Sequence, residues 1–319
     1  MNMNIENHQE LQPGRIALAN TSRFDEAYLS EPLTAYAVGW SDDGVLQADL
    51  DFVAPSVLVP RRFEYRKADN NDEFLEEKED IRAIGADFRR VEPSGEIVLN
   101  KTYNKGLTMR VDLDQVSGIL NWRQLTVAKL LRRLLRAELK RAITLLYDSA
   151  TVTSVTWSGA SGEDPDMDLI TALLGAANSS GVKPNRVFFG DSSWAARCLS
   201  LRAQSTAGGF ASATMTPQML AALVGVDEIR VCTQRRQSTA STKAGFAENQ
   251  VLLFNAASNL STEDPSNIKR FVTPCQDGSL YRVYEQAVTS KITDITVEHY
   301  SNIVITSSPG IAVLAVSTS

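Results

Sequence analysis

One stretch limits this chain more than any other: an uninterrupted helical stripe from Leu120 to Tyr147. Leu131, Leu135, Leu139, Ile143 and Leu146 recur at helical spacing, and Leu130, Leu134 and Ala142 widen the apolar band. Lys129, Arg132, Arg133, Arg136 and Lys140 take much of the remaining surface. Neither Pro nor Gly interrupts the pattern, and Ser117-Gly118 suits its start. At 1.5 Å per residue the rod is ~42 Å long. Helices of soluble domains average ~11–12 residues, so this one acts as a spine for other elements. Its basic face has three readings: a solvated or salt-bridged surface, a contact for DNA phosphates, or a receptor for acids of another copy.

Upstream of the spine the chain is thin. Residues 1–35 are polar and without periodicity, which predicts an extended arm. Phe63 and Tyr65, and later Tyr103, Leu107, Met109, Val111 and Leu113, alternate with polar neighbours. That period predicts two strands, each with one apolar face. Between them lies an acid-rich stretch, Asp72, Glu73, Glu76, Glu77, Glu79 and Asp80, with Lys78 as its one base. The expected shape is a long two-stranded excursion with a charged tip. An isolated hairpin is marginal in water, so the ribbon leans on another surface.

Downstream the texture is α/β. Ser154 to Gly162 reads as a small-residue linker. Asp164-Pro165 opens a helix that ends near Gly181, and Arg186 to Phe189 reads as a short buried strand. Gly190-Asp191-Ser192 then turns into a helix carrying Trp194. Gln204 to Thr214 reads as a mobile loop, Thr216-Pro217 as a helix start and Thr233 to Asn249 as a surface loop. Further strands are expected at Glu228–Cys232, Val251–Asn255, Leu280–Tyr284, Ile292–Val297, Ile303–Ile305 and Ile311–Val316.

The chemistry inventory is short. Of the two histidines, His8 lies in the arm and His299 beside a strand, where an ordinary surface or edge position is the plain reading. No GxSxG elbow, P-loop or GxGxxG is present. Asp191 or Ser192 is read as a helix cap in preference to a phosphate site. Asp42-Asp43 and Asp112-x-Asp114 lack an EF-hand ligand series, so a turn and a strand face account for them. Cys198, Cys232 and Cys275 are scattered and odd in number, which signals neither a disulfide framework nor a zinc knuckle. No catalytic, cofactor or metal residues are assigned. With 38 acidic and 32 basic residues the net charge is -6, which excludes a basic nucleic-acid coat. Met1–Glu10 has no apolar core of a signal peptide, and the apolar run Ile311–Val316 is too short to span a bilayer. At 319 residues, two packed regions are expected.

The order of these pieces resembles the tailed-bacteriophage major capsid proteins of the Hong Kong 97 type. The residues that carry the resemblance are the return strand Gly106-Leu107-Thr108-Met109-Arg110-Val111-Asp112, the spine from Gln124 to Leu146, and Pro184-Asn185-Arg186-Val187-Phe188-Phe189 followed by Ser193-Trp194. The resemblance implies an α+β fold with an N-terminal arm over 1–35 and an extended β-hairpin loop with flanking strands over 36–114. It implies a peripheral domain with the spine helix over 115–150 and 278–300, and an axial α/β domain over 151–277 and 301–319. Residues 207–213 are then expected in the axial lobe, near five- and six-fold contacts. The implied function is a head protein, not an enzyme. It forms hexamers and pentamers that close an icosahedral shell around double-stranded DNA.

The implied partners are sister copies, a portal protein, a separate scaffolding protein or none, a decoration protein in some relatives, and packaged DNA; no membrane is involved. The protein would be made in the bacterial cytoplasm and end in the virion. Lys67, Lys78 and Lys101 lie in the loop region, and no crosslink is assigned to them. Glu73, Glu76, Glu77 and Glu79 are expected to meet Arg132, Arg133 and Arg136 of another subunit, on the strength of their opposite charge. Two alternatives stand beside this reading: an encapsulin-type compartment shell and a cytoplasmic α/β hydrolase or transferase, the latter requiring a convergent polar cluster.

Overall fold

A computed structural model describes residues 26–41, 45–67, 96–160, 162–239, 241–257, 266–275 and 277–318, together with 81, 82 and 87. The chain forms two compact units: Met1–Trp40, Lys105–Leu131 and Cys275–His299 in the first, and Ser41–Asn104, Arg132–Pro274 and Tyr300–Ser319 in the second.

The spine is helix α3, Trp122–Asp148. Every apolar stripe residue from Leu130 to Leu146 named above is buried, while Lys129, Arg132, Arg133, Arg136 and Lys140 are all exposed. The sequence pattern therefore sorts the two faces as the period predicts.

In the second unit a five-stranded sheet has the order β5 (Thr151–Thr156), β14 (Ala312–Ser317), β10 (Gln250–Phe254), β6 (Arg186–Gly190) and β7 (Glu228–Cys232). β5 and β7 run parallel to their neighbours, whereas β10 is antiparallel to both of its own. Alternate residues of β6 serve opposite faces. Val187 and Phe189 join a core with Leu169, Leu173, Leu220 and Val224. Phe188 instead meets Phe52 of α2 (Leu46–Val53), whose ring also lies edge-on to Phe254 at 6.0 Å. A sheet covered on both faces accounts for the unbroken apolar run in β6 and β10.

The helices of this unit carry legible end signals. In α4, Pro165–Ser180, the Asp164 carboxylate accepts from the amides of Asp166 and Met167, and Gly181 closes the helix at φ 72°. In α7, Pro217–Val224, the Thr216 hydroxyl accepts from the Met219 amide. Helix α5, Asp191–Ala203, departs from expectation. Its N-cap is Gly190, and no side chain caps it. Asp191 is turned to Arg235, and the Ser192 Oγ accepts from the Asn249 amide at 2.8 Å. The expected loop after it contains α6, Ala207–Ala213, capped by Thr206 and burying Gly209 and Ala213. A capping threonine and two buried small residues are enough to hold one short helix there. The 233–249 region contains a hairpin, β8 (Arg235–Gln237) with β9 (Lys243–Gly245).

The ribbon also differs from expectation. β2, Arg62–Lys67, pairs with β3, Glu96–Lys101. The alternating stretch assigned as its return strand is β4, Tyr103–Asp112, which pairs with β13, Ile292–Ile305, instead. Side chains select that partner. Arg110 forks onto Asp294 at 2.9 and 3.0 Å, and the Thr108 and Thr296 hydroxyls meet at 2.7 Å. The β2–β3 hairpin lays Phe63 and Tyr65 on Phe271 of β11 (Ile268–Thr273), at ring distances of 4.4 and 5.6 Å.

Two more expectations change. Residues 31–35 belong to helix α1, Glu31–Gly39, which buries Leu33, Thr34 and Ala37, so the arm reading does not extend through them; residues 1–25 lie outside the described residues. β13 is one strand rather than two, because the polar residues between its apolar ends are buried or half-buried and find partners. In the first unit the Tyr284 hydroxyl donates to Glu298, and in the second the Ser301 hydroxyl donates to Glu138 at 3.0 Å.

Candidate functional site

His299 is buried within β13, with its ring 5.5 Å from that of Tyr281, so it is neither a surface nor an edge histidine. Asp112 accepts from the amide of Asp114, whose carboxylate pairs with Lys291 at 2.7 Å; both serve the turn after β4. Asp42 and Asp43 lie outside the described residues. Among the described residues no three His, Cys, Asp or Glu side chains are grouped to hold a metal, and no helix is long and apolar enough to cross a membrane. A cavity of about 290 Å³ between β5, β14 and α4 is lined mainly by Thr151, Thr153, Val155, Thr171 and Gly175. Its one carboxylate, Asp168, accepts from the Trp157 indole at 2.9 Å.

Burial shifts the titration of Cys232 and Asp49 for structural reasons. Burial pushes the Cys232 thiol up to about 12, which makes it a poor nucleophile. Burial likewise raises Asp49 of α2 to about 6, partly offset by the nearby positive charge of Arg230. Asp49 Oδ2 has no hydrogen-bond partner among the described residues. Because the folded protein holds this proton more tightly than the unfolded chain, its contribution to stability is complete below about pH 4 and is lost as pH rises through 6. We therefore expect Asp49→Asn to stabilise the protein by about 1–2 kcal/mol at pH 7.5 and by almost nothing near pH 4. Urea melts at the two pH values measure this, and an equal effect at both would refute it.

What the fold presents outward includes exposed apolar side chains and a row of bases. The exposed face of the β2–β3 hairpin carries Ile97, 59% exposed, and Leu99, 76% exposed, opposite Arg66 and Glu64. Sequence reasoning missed both, because it took Tyr103–Leu113 as the partner strand; the short apolar run Ile97-Val98-Leu99 between Glu96 and Asn100 was the available signal. Arg132, Arg133 and Arg136 are exposed on α3, together with Lys129 and Lys140. Glu73, Glu76, Glu77 and Glu79, expected to face them from another subunit, lie outside the described residues.

No protein-family model matches the chain, and no curated protein matches it. Solved structures do. A phage-related protein from Bordetella bronchiseptica RB50 superposes with a TM-score of 0.65 at 18% identity, covering 90% of this chain and 96% of that one. The capsid of Cyanophage P-SCSP1u gives 0.53 at 10% identity, covering 84% and 88%. The fold is that of a phage capsid protein. Gordonia phage Cozz adds a third match, with a TM-score of 0.52 at 10% identity over 88% of this chain and 90% of that one. The phage capsid fold thus extends over most of the sequence.

Proposed function

We propose that this chain is the major capsid protein of a tailed bacteriophage, and that copies of it assemble as hexamers and pentamers into an icosahedral shell around double-stranded DNA. The observation that carries this reading is the match to a cyanophage capsid over 84% of this chain and 88% of that one. In this reading 115–150 and 278–300 form the peripheral domain, 151–277 and 301–319 the axial domain, and the β2–β3 hairpin the base of an extended loop. The hairpin supports it physically. A two-stranded ribbon with Ile97 and Leu99 outward is poorly stable alone, and a neighbouring copy supplies the missing burial.

Negative-stain microscopy of the purified full chain, with analytical ultracentrifugation, tests the proposal. Polyhedral shells or hexamer rings support it, and a stable monomer refutes it. Particles that enclose protein and no DNA would move the assignment to an encapsulin-type compartment. The hairpin gives a sharper prediction. The pair Ile97→Asp and Leu99→Asp replaces exposed side chains, so unfolding of the unassembled chain should change by no more than about 0.5 kcal/mol. Shell yield should nevertheless fall at least tenfold, measured by sedimentation; unchanged yield would remove the hairpin face from the assembly contacts.

A further inference from the structure

We propose that the open edge of β5 is a docking site for an extended segment of a partner protein, which adds to the sheet as a further strand and places a lysine on Asp168. β5 ends its sheet and pairs only with β14 among the described residues. Thr151 and Trp157 donate their amides to Ile311 and Ser317, at the two ends of β14. Main-chain groups of a strand point alternately to its two sides. The N–H and C=O groups of Val152, Ser154 and Thr156 therefore face away from β14, where no strand pairs with them among the described residues. Five of the six residues of β5 are exposed, so side chains do not cover that edge either. Proteins commonly guard such an edge with charge, Pro or a bulge. The far edge of the same sheet, β7, carries Glu228 and Arg230, paired at 2.6 Å. β5 has neither charge nor Pro: apart from Ser154 it is all Thr and Val, the residues that suit a paired strand.

The cavity beside this edge gives an added strand places for its side chains. Thr151, Thr153 and Val155 line it from below and α4 from above. α4 runs antiparallel to β5. Its first turn is tied to the end of β5 by the hydrogen bond from Trp157 to Asp168. Its last turn lies at the start of β14, where a Cβ on Gly310 would meet Ser180. From Asp168 to Ala176 the helix rises about 12 Å, and two steps between alternate residues of a strand cover about 13 Å. Asp168, Ala172 and Ala176 thus keep pace with the first, third and fifth residues of a strand laid along β5. The helix leaves room beside them, since a Cβ on Gly175 would meet nothing within 4 Å.

Charge selects the occupant. Asp168 is the one charged side chain lining the cavity. One of its oxygens accepts from the Trp157 indole, and the other has no hydrogen-bond partner among the described residues. An ammonium group on the first residue of an antiparallel strand would meet that oxygen in a charge-assisted hydrogen bond. Aliphatic side chains on the third and fifth residues would fill the cavity over Val155 and Leu314. The segment recognised is therefore Lys-x-Val-x-Val, held by main-chain bonds along the edge and by alternate side chains in the groove. A second copy of β5 would satisfy the same main-chain groups but would bring no cation to Asp168.

The test is fluorescence anisotropy of the purified full chain with the synthetic peptide Lys-Thr-Val-Thr-Val, acetylated at its start and labelled at its end. Saturable binding is expected, and Gln in place of the peptide's Lys should weaken it about tenfold. Asp168→Asn should weaken the Lys peptide by about the same factor and leave the Gln peptide unchanged, a pattern that a loosened fold does not give. Ser154→Pro removes an amide that faces outward, where Pro is tolerated in an edge strand, and should weaken both peptides about tenfold or more. Gly175→Leu should do the same by filling the groove. Circular-dichroism melts show whether each variant folds. If Ser154→Pro melts below wild type, Gly175→Leu, whose added side chain enters open space, decides alone. The proposal is overturned if the Lys peptide does not bind saturably or if wild type binds the Lys and Gln peptides alike. It is also overturned if folded Ser154→Pro and Gly175→Leu bind as wild type does. Self-association of wild type that Ser154→Pro abolishes, seen by sedimentation with no peptide bound, overturns it too and assigns the edge to a second copy.

Discussion

Replacing Asp166 with alanine is expected to destabilise the protein by about 3–5 kcal/mol. Asp166 stands in the first turn of α4, and both its oxygens accept from Arg197 of α5, at 2.6 and 2.9 Å. Arg197 is 0% exposed. Its guanidinium lies 5.0 Å from the Trp194 ring and donates also to the Ser212 carbonyl of α6. One ion pair thus ties three helices together. Without the carboxylate, Arg197 keeps its charge in a site where water cannot replace the lost partner. Removing both charges is different, because no buried ion is then stranded. The double variant Asp166→Leu with Arg197→Met should recover most of the loss, to within about 1 kcal/mol of wild type. Urea denaturation followed by tryptophan fluorescence reads both. If Asp166→Ala melts like wild type, the pair is not what holds these helices.

Parts of this architecture were legible because their signal is local. The spine announces itself through eight apolar residues at helical spacing, and α4 through Asp164, Pro165 and Gly181 at its ends. What was not legible depends on distant partners. β11 hides behind Lys269 and Arg270, charged residues that read as surface yet are buried here. The interruption expected in β13 came from Glu298 to Asn302, whose polar groups find partners far away in sequence, including Tyr284, Glu138 and Asn100. β4 alternates as a strand should, but nothing local says that its Arg110 will meet Asp294. The same division holds for the candidate surfaces. Helical periodicity alone put Arg132, Arg133 and Arg136 outside, whereas the exposure of Ile97 and Leu99 depended on which strand paired with β2.

The junction of β6 with α5 gives the second large expected effect, and it explains why a turn that resembles a phosphate cradle needs its glycine. A Cβ on Gly190 would stand 1.8 Å from the carbonyl oxygen of Ala247 and 2.8 Å from its carbon. Backbone, not a flexible side chain, occupies that space, so no rotamer change can clear it. The turn around Ala247 is also fastened to α5. The Asn249 amide donates to Ser192 Oγ, and Ser193 Oγ donates to the Gln250 carbonyl at 3.1 Å. Moving Ala247 therefore strains both bonds and the start of β10. We expect Gly190→Ala to destabilise the protein by about 3 kcal/mol and to lower the melting temperature by roughly 6–12 °C. Because the clash is with the main chain, adding Ala247→Gly should not rescue it, whereas a side-chain clash would be relieved. Calorimetric scans of the two variants decide the point. A Gly190→Ala protein that melts at the wild-type temperature would show that the turn yields freely and that close approach is not what requires glycine there.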